Sequence, residues 1–265
     1  VLYVGFFNWM PLGKVKDMQF ISLGYNYREL MFDEYFIESI WRSIQFSITT
    51  LFFELIIGFL LALSLLSSFP LKSFFRSVHT LPLVIAPIVV GAIFKLFLVN
   101  GLGPIPYFAK EFFDYRFNYM KSEDLAFWVL VVMDVWHWTP FVTLTLLAGL
   151  SALPEDPYES AKIDGANNFQ IFIHITIPML VPVLVVVIFI RLMDSLKIVD
   201  EVWMLTGGGP GYSTRFTGIH IWKEVFEKRT YGYGSAMSIL YLYITIVICW
   251  MLYSVMVSRG KVDED

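Results

Sequence analysis

Five stretches of this chain are long and apolar enough to cross a lipid bilayer as helices: residues 40–66, 78–99, 125–150, 171–193 and 236–257. A hydrocarbon core about 30 Å thick takes about 20 predominantly apolar residues at a rise of about 1.5 Å each. Helices that satisfy their own backbone hydrogen bonds are the natural way to fill it. The rest of the composition agrees. Only 16% of residues are charged and 57% are hydrophobic, whereas a soluble domain carries roughly a quarter charged. Aromatic residues make up 18% of the chain, which suits lipid-facing and interfacial surfaces. The predicted class is an all-α polytopic membrane protein, one transmembrane domain over 1–265, with membrane lipid as its solvent. The net charge of −4 without a basic block points away from nucleic acid. Cys249, the one cysteine, has no partner for an internal disulfide.

Residues 1–7 are too short to span and have no charged leader, so they do not read as a signal peptide. They read as the outer end of a first helix that is mostly missing from this sequence, which makes six helices. Polar connections separate the spans: 8–39, a turn at 67–70, 100–124, the segment after residue 150, 194–235 and a charged tail from Arg259. Residues 217–228 suit one short interfacial helix. Charge alone does not orient the chain. Lys72, Arg76, Lys162, Arg259 and Lys261 fall on one side. Lys14, Lys16, Arg28, Lys110, Arg116, Lys121, Arg215, Lys223, Lys228 and Arg229 fall on the other, in longer segments of similar charge density.

The most polar run in the middle of the chain is also the most informative. Asp156 is placed as an N-cap, Pro157 as the first helical residue and Glu159 three residues after the cap, with Gly165 as the stop. Tyr158, Ala161 and Gly165 share one face of the resulting short helix. Two of them have almost no side chain, so a partner can approach the backbone closely. Glu159-Ser160-Ala161, three residues, Gly165, nine residues and Ile175-Thr176-Ile177-Pro178 resemble the cytoplasmic signature of the membrane subunits of bacterial and archaeal ABC importers. Ser160 and Ile177 depart mildly from that pattern. The resemblance implies a coupling helix over 155–166 that docks into a cleft on an ATP-binding subunit, with Tyr158, Glu159, Ala161, Asp164 and Gly165 at the contact. It also implies that this loop and the carboxyl end lie inside the cell.

A second set of residues resembles the sugar-type branch of these importers, which includes the maltose, glycerol phosphate, lactose and trehalose systems. It comprises Phe7-Asn8-Trp9, Leu23-Gly24-Tyr25-Asn26-Tyr27, Asp33-Glu34-Tyr35-Phe36, Arg76 to Pro82, Thr206-Gly207-Gly208-Gly209-Pro210 with Thr214, and Gly232-Tyr233-Gly234-Ser235-Ala236. The resemblance implies a multi-pass permease in a prokaryotic cytoplasmic membrane. It would work with a second homologous permease, two ATP-binding subunits and an extracytoplasmic solute-binding protein, importing a sugar-like solute by alternating access. ATP and Mg would belong to the partner ATPase. This chain has no phosphate-binding G-x-x-x-x-G-K-[ST], and no cofactor is expected in it. Gly207, Gly208, Gly209 and Pro210 read either as a plain turn or as backbone free to pass close to another chain or a sugar.

Ionisable groups within apolar spans mark a path or a partner. Glu54 lies mid-span, and Lys95 lies near a helix end where it can snorkel. Asp134 and His137, with Trp138 adjacent, either satisfy each other or face a translocation path. Asp194, Lys197 and Asp200 follow the 171–193 span at spacings of three, and Ser238 and Tyr241 are similarly spaced in the last one. They read either as solvated helix ends or as a hydroxyl-binding path. Pro82, Pro87, Pro140, Pro178 and Pro182 permit kinks. The four histidines have no metal-ligand spacing. A membrane-embedded enzyme built on Asp134 and His137 is the alternative from another class. A secondary transporter would call for inverted repeats, which the sequence does not display.

Overall fold

The computed structural model describes residues 3–13, 15–20, 22 and 24–260, with side chains as far as Ser254. Val1, Leu2, Lys14, Leu23, the side chain of Arg259 and the tail from Lys261, all named above, lie outside the described residues. Residues 4–6 make a single 3-10 turn and run into strand β1 (Phe7–Asn8), which pairs antiparallel with β2 (Gln19–Phe20). The remaining elements are helical: α1 (Tyr25–Leu30), α2 (Glu34–Leu66), α3 (Lys72–Val84), α4 (Pro87–Leu98), α5 (Pro104–Phe113), α6 (Glu123–Ser151), α7 (Asp156–Ile163), α8 (Asn168–Ile171), α9 (Ile177–Leu196), α10 (Asp200–Leu205), α11 (Thr217–Trp222) and α12 (Tyr231–Gly260).

Among the described residues four helices are long and apolar enough to span a membrane: α2, α6, the run from Asn168 to Leu196, and α12. The segment expected as one span over 78–99 is two helices, α3 and α4, bent by 101°. The break has a local cause. Ile85 and Ala86 are both extended, and Pro87 lacks the N–H that would continue the ladder. With the bent pair counted as one, the described residues hold five candidate spans. Residues Phe172–Thr176 form a π-helical turn that ends two residues before Pro178. A wider turn there accommodates a proline ring that would otherwise meet the carbonyl four residues back.

Contacts divide the chain into two units. One contains Val1–Thr49, Ala86–Met133 and Met193–Trp250. Within it α4 and α10 lie against each other, and a Cβ on Gly91 would sit 2.8 Å from the Glu201 carbonyl. Only glycine permits that approach. Ser43 Oγ accepts from the Thr217 N–H at 2.9 Å, and Phe46 packs on Phe216, fastening α11 to α2. The second unit contains Thr50–Ile85, Asp134–Leu192 and Met251–Asp265. Its core is Ala62, Leu65, Val142, Leu146, Leu150, Leu180 and Val187, drawn from α2, α6 and α9. Gly58 faces Val142 and Gly149 faces Val183, each at a distance that leaves no room for a Cβ. Small residues at these crossings let membrane helices approach where no hydrophobic force drives them together.

Candidate functional site

The polar segment expected as a short exposed helix forms α7. It begins at Asp156, preceded by Glu155, and no side chain caps it, so the cap bond expected from Asp156 is not made. Pro157 falls in the first turn, where its missing N–H costs nothing. The stop at Gly165 has the anticipated geometry, with φ of +81°. The Gly165 N–H donates to the Lys162 carbonyl and the Ala166 N–H to the Ala161 carbonyl at 2.9 Å, the two bonds of a Schellman end. The next turn is closed by a capping box between Asn167 and Gln170.

The faces of α7 differ from the expected arrangement. Tyr158 turns inward, donating its hydroxyl to Thr176 Oγ1 at 3.1 Å. Ala161 is half-buried, while Glu159, Asp164 and Gly165 are exposed. A Cβ on Gly165 would meet nothing within 4 Å. Ile163 is 86% exposed and Phe169 is 71% exposed, so two large apolar side chains flank the Gly165 turn without cover. Ala161, Asp164, Gly165, Ala166, Gln170, Ile171, His174 and Ile175 line a cavity of about 370 Å³ beside them. A protruding helix with apolar knobs and an adjacent hollow can dock a protein.

Deep in the same unit lies a charge cluster. Arg191 of α9 donates from Nε to Glu54 at 2.6 Å and from one terminal nitrogen to Glu54 at 2.5 Å and Asp134 at 2.8 Å. All three side chains are at most 2% exposed. The Arg191 guanidinium carbon lies 4.6 Å from the centre of the Trp138 ring, a cation–π contact. One cation thus ties α2, α6 and α9 together at one level. Removing one member of such a cluster typically costs about 3–5 kcal/mol, because a charge is left buried without its partner. Glu54 and Asp134 stand out in the sequence as ionisable groups within apolar spans; Arg191, near the end of its span, does not. The available signal was two carboxylates in apolar spans and a single cation within 171–193. His137 Nε2 donates to the Ile85 carbonyl at 3.2 Å, at the break between α3 and α4.

The other path residues are not gathered on one helical side. α9 ends at Leu196, so Asp194, Lys197 and Asp200 do not continue along one helix. Asp194 and Lys197 pair with each other at 3.2 Å, and Asp200 opens α10. Tyr241 is buried and donates its hydroxyl to the Leu196 carbonyl at 2.6 Å, capping the end of α9. Ser238 Oγ donates to the Gly234 carbonyl within its own helix. In the glycine-rich loop, Gly207 and Gly208 have φ of +60° and +92°. A Cβ on Gly208 would stand 2.9 Å from Ile219 of the same chain. Thr214 Oγ1 donates to the Gly209 carbonyl at 2.7 Å, and Pro210 follows through a cis peptide bond. At Gly208 the glycine is required by the loop's own packing on Ile219.

Candidate membrane-spanning helices with a short exposed helix between the third and fourth spans define a polytopic membrane protein with a docking element in one of its loops. The model for binding-protein-dependent transport system inner membrane components matches residues 54–257, and the chain belongs to that family. The trehalose/maltose transport system permease protein MalF of Thermococcus litoralis is 32% identical over 261 residues, covering 97% of this chain and 86% of that protein. The multiple sugar-binding transport system permease protein MsmF of Streptococcus mutans is 28% identical, covering 92% and 83%. Among solved structures, a bacterial alginate ABC transporter in complex with an alginate pentasaccharide-bound periplasmic protein has a chain of the same fold. Its TM-score is 0.78 at 23% identity, covering 91% of this chain and 84% of that one.

Proposed function

We propose that this permease imports a sugar or short oligosaccharide, with α7 as the helix that receives the ATPase. One observation carries the reading: the run that opens the Glu159-to-Pro178 spacing is an exposed helix that ends in a Schellman turn at Gly165 and exposes Ile163 beside a hollow. The names of the relatives, trehalose/maltose and multiple-sugar systems, support the solute class. The partners are a second homologous permease, two ATP-binding subunits carrying ATP and Mg, and an extracytoplasmic solute-binding protein. The chain lies in a prokaryotic cytoplasmic membrane with α7 inside.

In this reading ATP draws the two ATP-binding subunits together. The docked α7 follows, and Tyr158 passes the displacement to the π-helical turn through Thr176. A nucleotide state shifts the membrane helices only because the docked helix contacts it differently in the two conformations.

The test is uptake into proteoliposomes holding the assembled importer, with binding protein outside and ATP inside, over labelled trehalose, maltose, a longer glucan, an amino acid and a peptide. Accumulation of one of the sugars, lost without ATP or without binding protein, is the expected result. Accumulation of the amino acid or peptide alone would refute the solute class. Accumulation of any of them without ATP would refute the mechanism.

A further inference from the structure

A second concave site lies in the connection between α4 and α6. Asn100, Gly101, Pro106, Tyr107, Lys110, Arg116, Phe117, Asn118 and Lys121 line a cavity of about 410 Å³. Three of these residues are cations. The acidic residues of the same segment, Glu111, Asp114, Glu123 and Asp124, are not among the lining residues. Among the described residues no carboxylate pairs with Lys110, Arg116 or Lys121 within 4.0 Å. Their placement follows from local structure. α5 is closed by Asp114 in the left-handed region, with φ of +47°, and the Tyr115 N–H turns back to the Ala109 carbonyl at 3.1 Å. The chain therefore doubles back and brings Arg116 and Asn118 to the side of α5 that carries Lys110. The Asn118 side-chain oxygen accepts from the Met120 N–H at 3.1 Å, which leaves its amide nitrogen to donate elsewhere.

Like charges gathered round one hollow repel unless something negative occupies it. A planar guanidinium and two ammonium groups match the oxygens of a phosphate. The surroundings indicate which phosphate. α4 ends two residues before the cavity begins, and α6 starts two residues after it ends, so the hollow lies at the ends of two membrane helices. The same α5 that supplies Tyr107 and Lys110 exposes Phe108, Phe112 and Phe113, the last two at 71% and 80%. Phe108 and Phe112 stack at 5.9 Å. Exposed aromatic rings beside cations are the pattern of a membrane interface, with rings at headgroup depth and cations on the phosphates. We propose that this cavity holds the phosphodiester headgroup of an anionic phospholipid, with the aromatic side of α5 against its acyl chains.

The assembled importer with the full-length chain, examined by native mass spectrometry after exchange into mixed phosphatidylglycerol and phosphatidylcholine, tests the assignment. Wild type is expected to retain phosphatidylglycerol preferentially. Lys110→Gln, Arg116→Gln and Lys121→Gln each weaken retention about fivefold, and the triple variant weakens it about 100-fold. Lys110→Arg with Lys121→Arg, which keeps the charge, is expected to retain the lipid and so separates loss of the site from loss of the fold. Inorganic phosphate and glycerol 3-phosphate at millimolar concentration leave retention unchanged if the ligand is a lipid. Displacement by either would show a site for a free anion and overturn the proposal. Unchanged phosphatidylglycerol preference in the triple variant would overturn it too. So would a triple variant that loses the solute-binding protein but keeps the lipid, since the cavity would then be a protein contact.

Discussion

Tyr158 of α7 donates its hydroxyl to Thr176 Oγ1 at 3.1 Å, joining the exposed helix to the π-helical turn that opens α9. Their positions 18 residues apart make this a cross-brace over the whole polar loop. A single neutral hydrogen bond is worth about 0.5–1.5 kcal/mol net. Tyr158→Phe therefore leaves the fold and the ATPase contact in place but loosens the transmission. Solute imported per ATP hydrolysed is expected to fall roughly 2–10-fold, measured by following both in the same proteoliposomes. An unchanged ratio would assign the bond to local stability alone.

Arg191 holds Glu54 and Asp134 in a site from which water is excluded. Arg191→Met leaves two carboxylates without their cation, and a loss of about 3–5 kcal/mol is expected. Replacing all three by apolar residues of similar volume removes the charges together, so the triple variant Glu54→Leu/Asp134→Leu/Arg191→Met is expected to be more stable than Arg191→Met alone. Thermal unfolding in one detergent compares them. If the single variant unfolds with wild type, the cluster does not hold the helices.

His220 of α11 is 3% exposed, and neither ring nitrogen has a hydrogen-bond partner among the described residues. Burial first, and then the positive Arg215, push its pKa down to about 4; Glu224 and Asp33 oppose this and Lys228 adds to it. The folded form therefore favours the neutral ring, while the unfolded ring titrates near 6.5. Stability from this group is full above about 6.5 and is lost as pH falls from there toward 4. The unfolding temperature of wild type is expected to drop across that window more than that of His220→Gln. Parallel curves would remove His220 from the account.

Tyr241 caps the Leu196 carbonyl from a buried position, so its hydroxyl is committed within the fold. Tyr241→Phe is expected to cost about 0.5–1.5 kcal/mol in stability. The sugar concentration for half-maximal uptake should stay within twofold of wild type. A tenfold rise with unchanged stability would return this residue to the solute path.

The elements set by local chemistry were readable from sequence. Apolar length located the spans, and the Glu159-to-Pro178 spacing located α7 and its stop at Gly165, because each is written in contiguous residues. Features that depend on distant partners were not readable. Nothing local to Arg191 says that it meets Glu54 137 positions away. Tyr241 and Ser238 share a helical spacing, yet one hydroxyl goes to another helix and the other to its own backbone. The 101° bend at Ile85 and Ala86 was half-legible: Pro87 marks a restart, but the extended pair before it does not show in an unbroken apolar run. For α7, the spacing of Tyr158, Ala161 and Gly165 identified a shared face without saying that Tyr158 points to Thr176.

Ile163 offers the most direct measurement, because it is 86% exposed and its replacement leaves the packing of this chain untouched. Burying such a side chain in an ATPase cleft is worth about 1.5–3 kcal/mol. Ile163→Asp should therefore weaken ATPase association at least tenfold. ATP-driven sugar uptake, measured in proteoliposomes at limiting ATPase with equal amounts of inserted permease, is expected to fall by a similar factor. Wild-type uptake and full ATPase retention by Ile163→Asp would contradict the claim that α7 is where ATP hydrolysis reaches this permease.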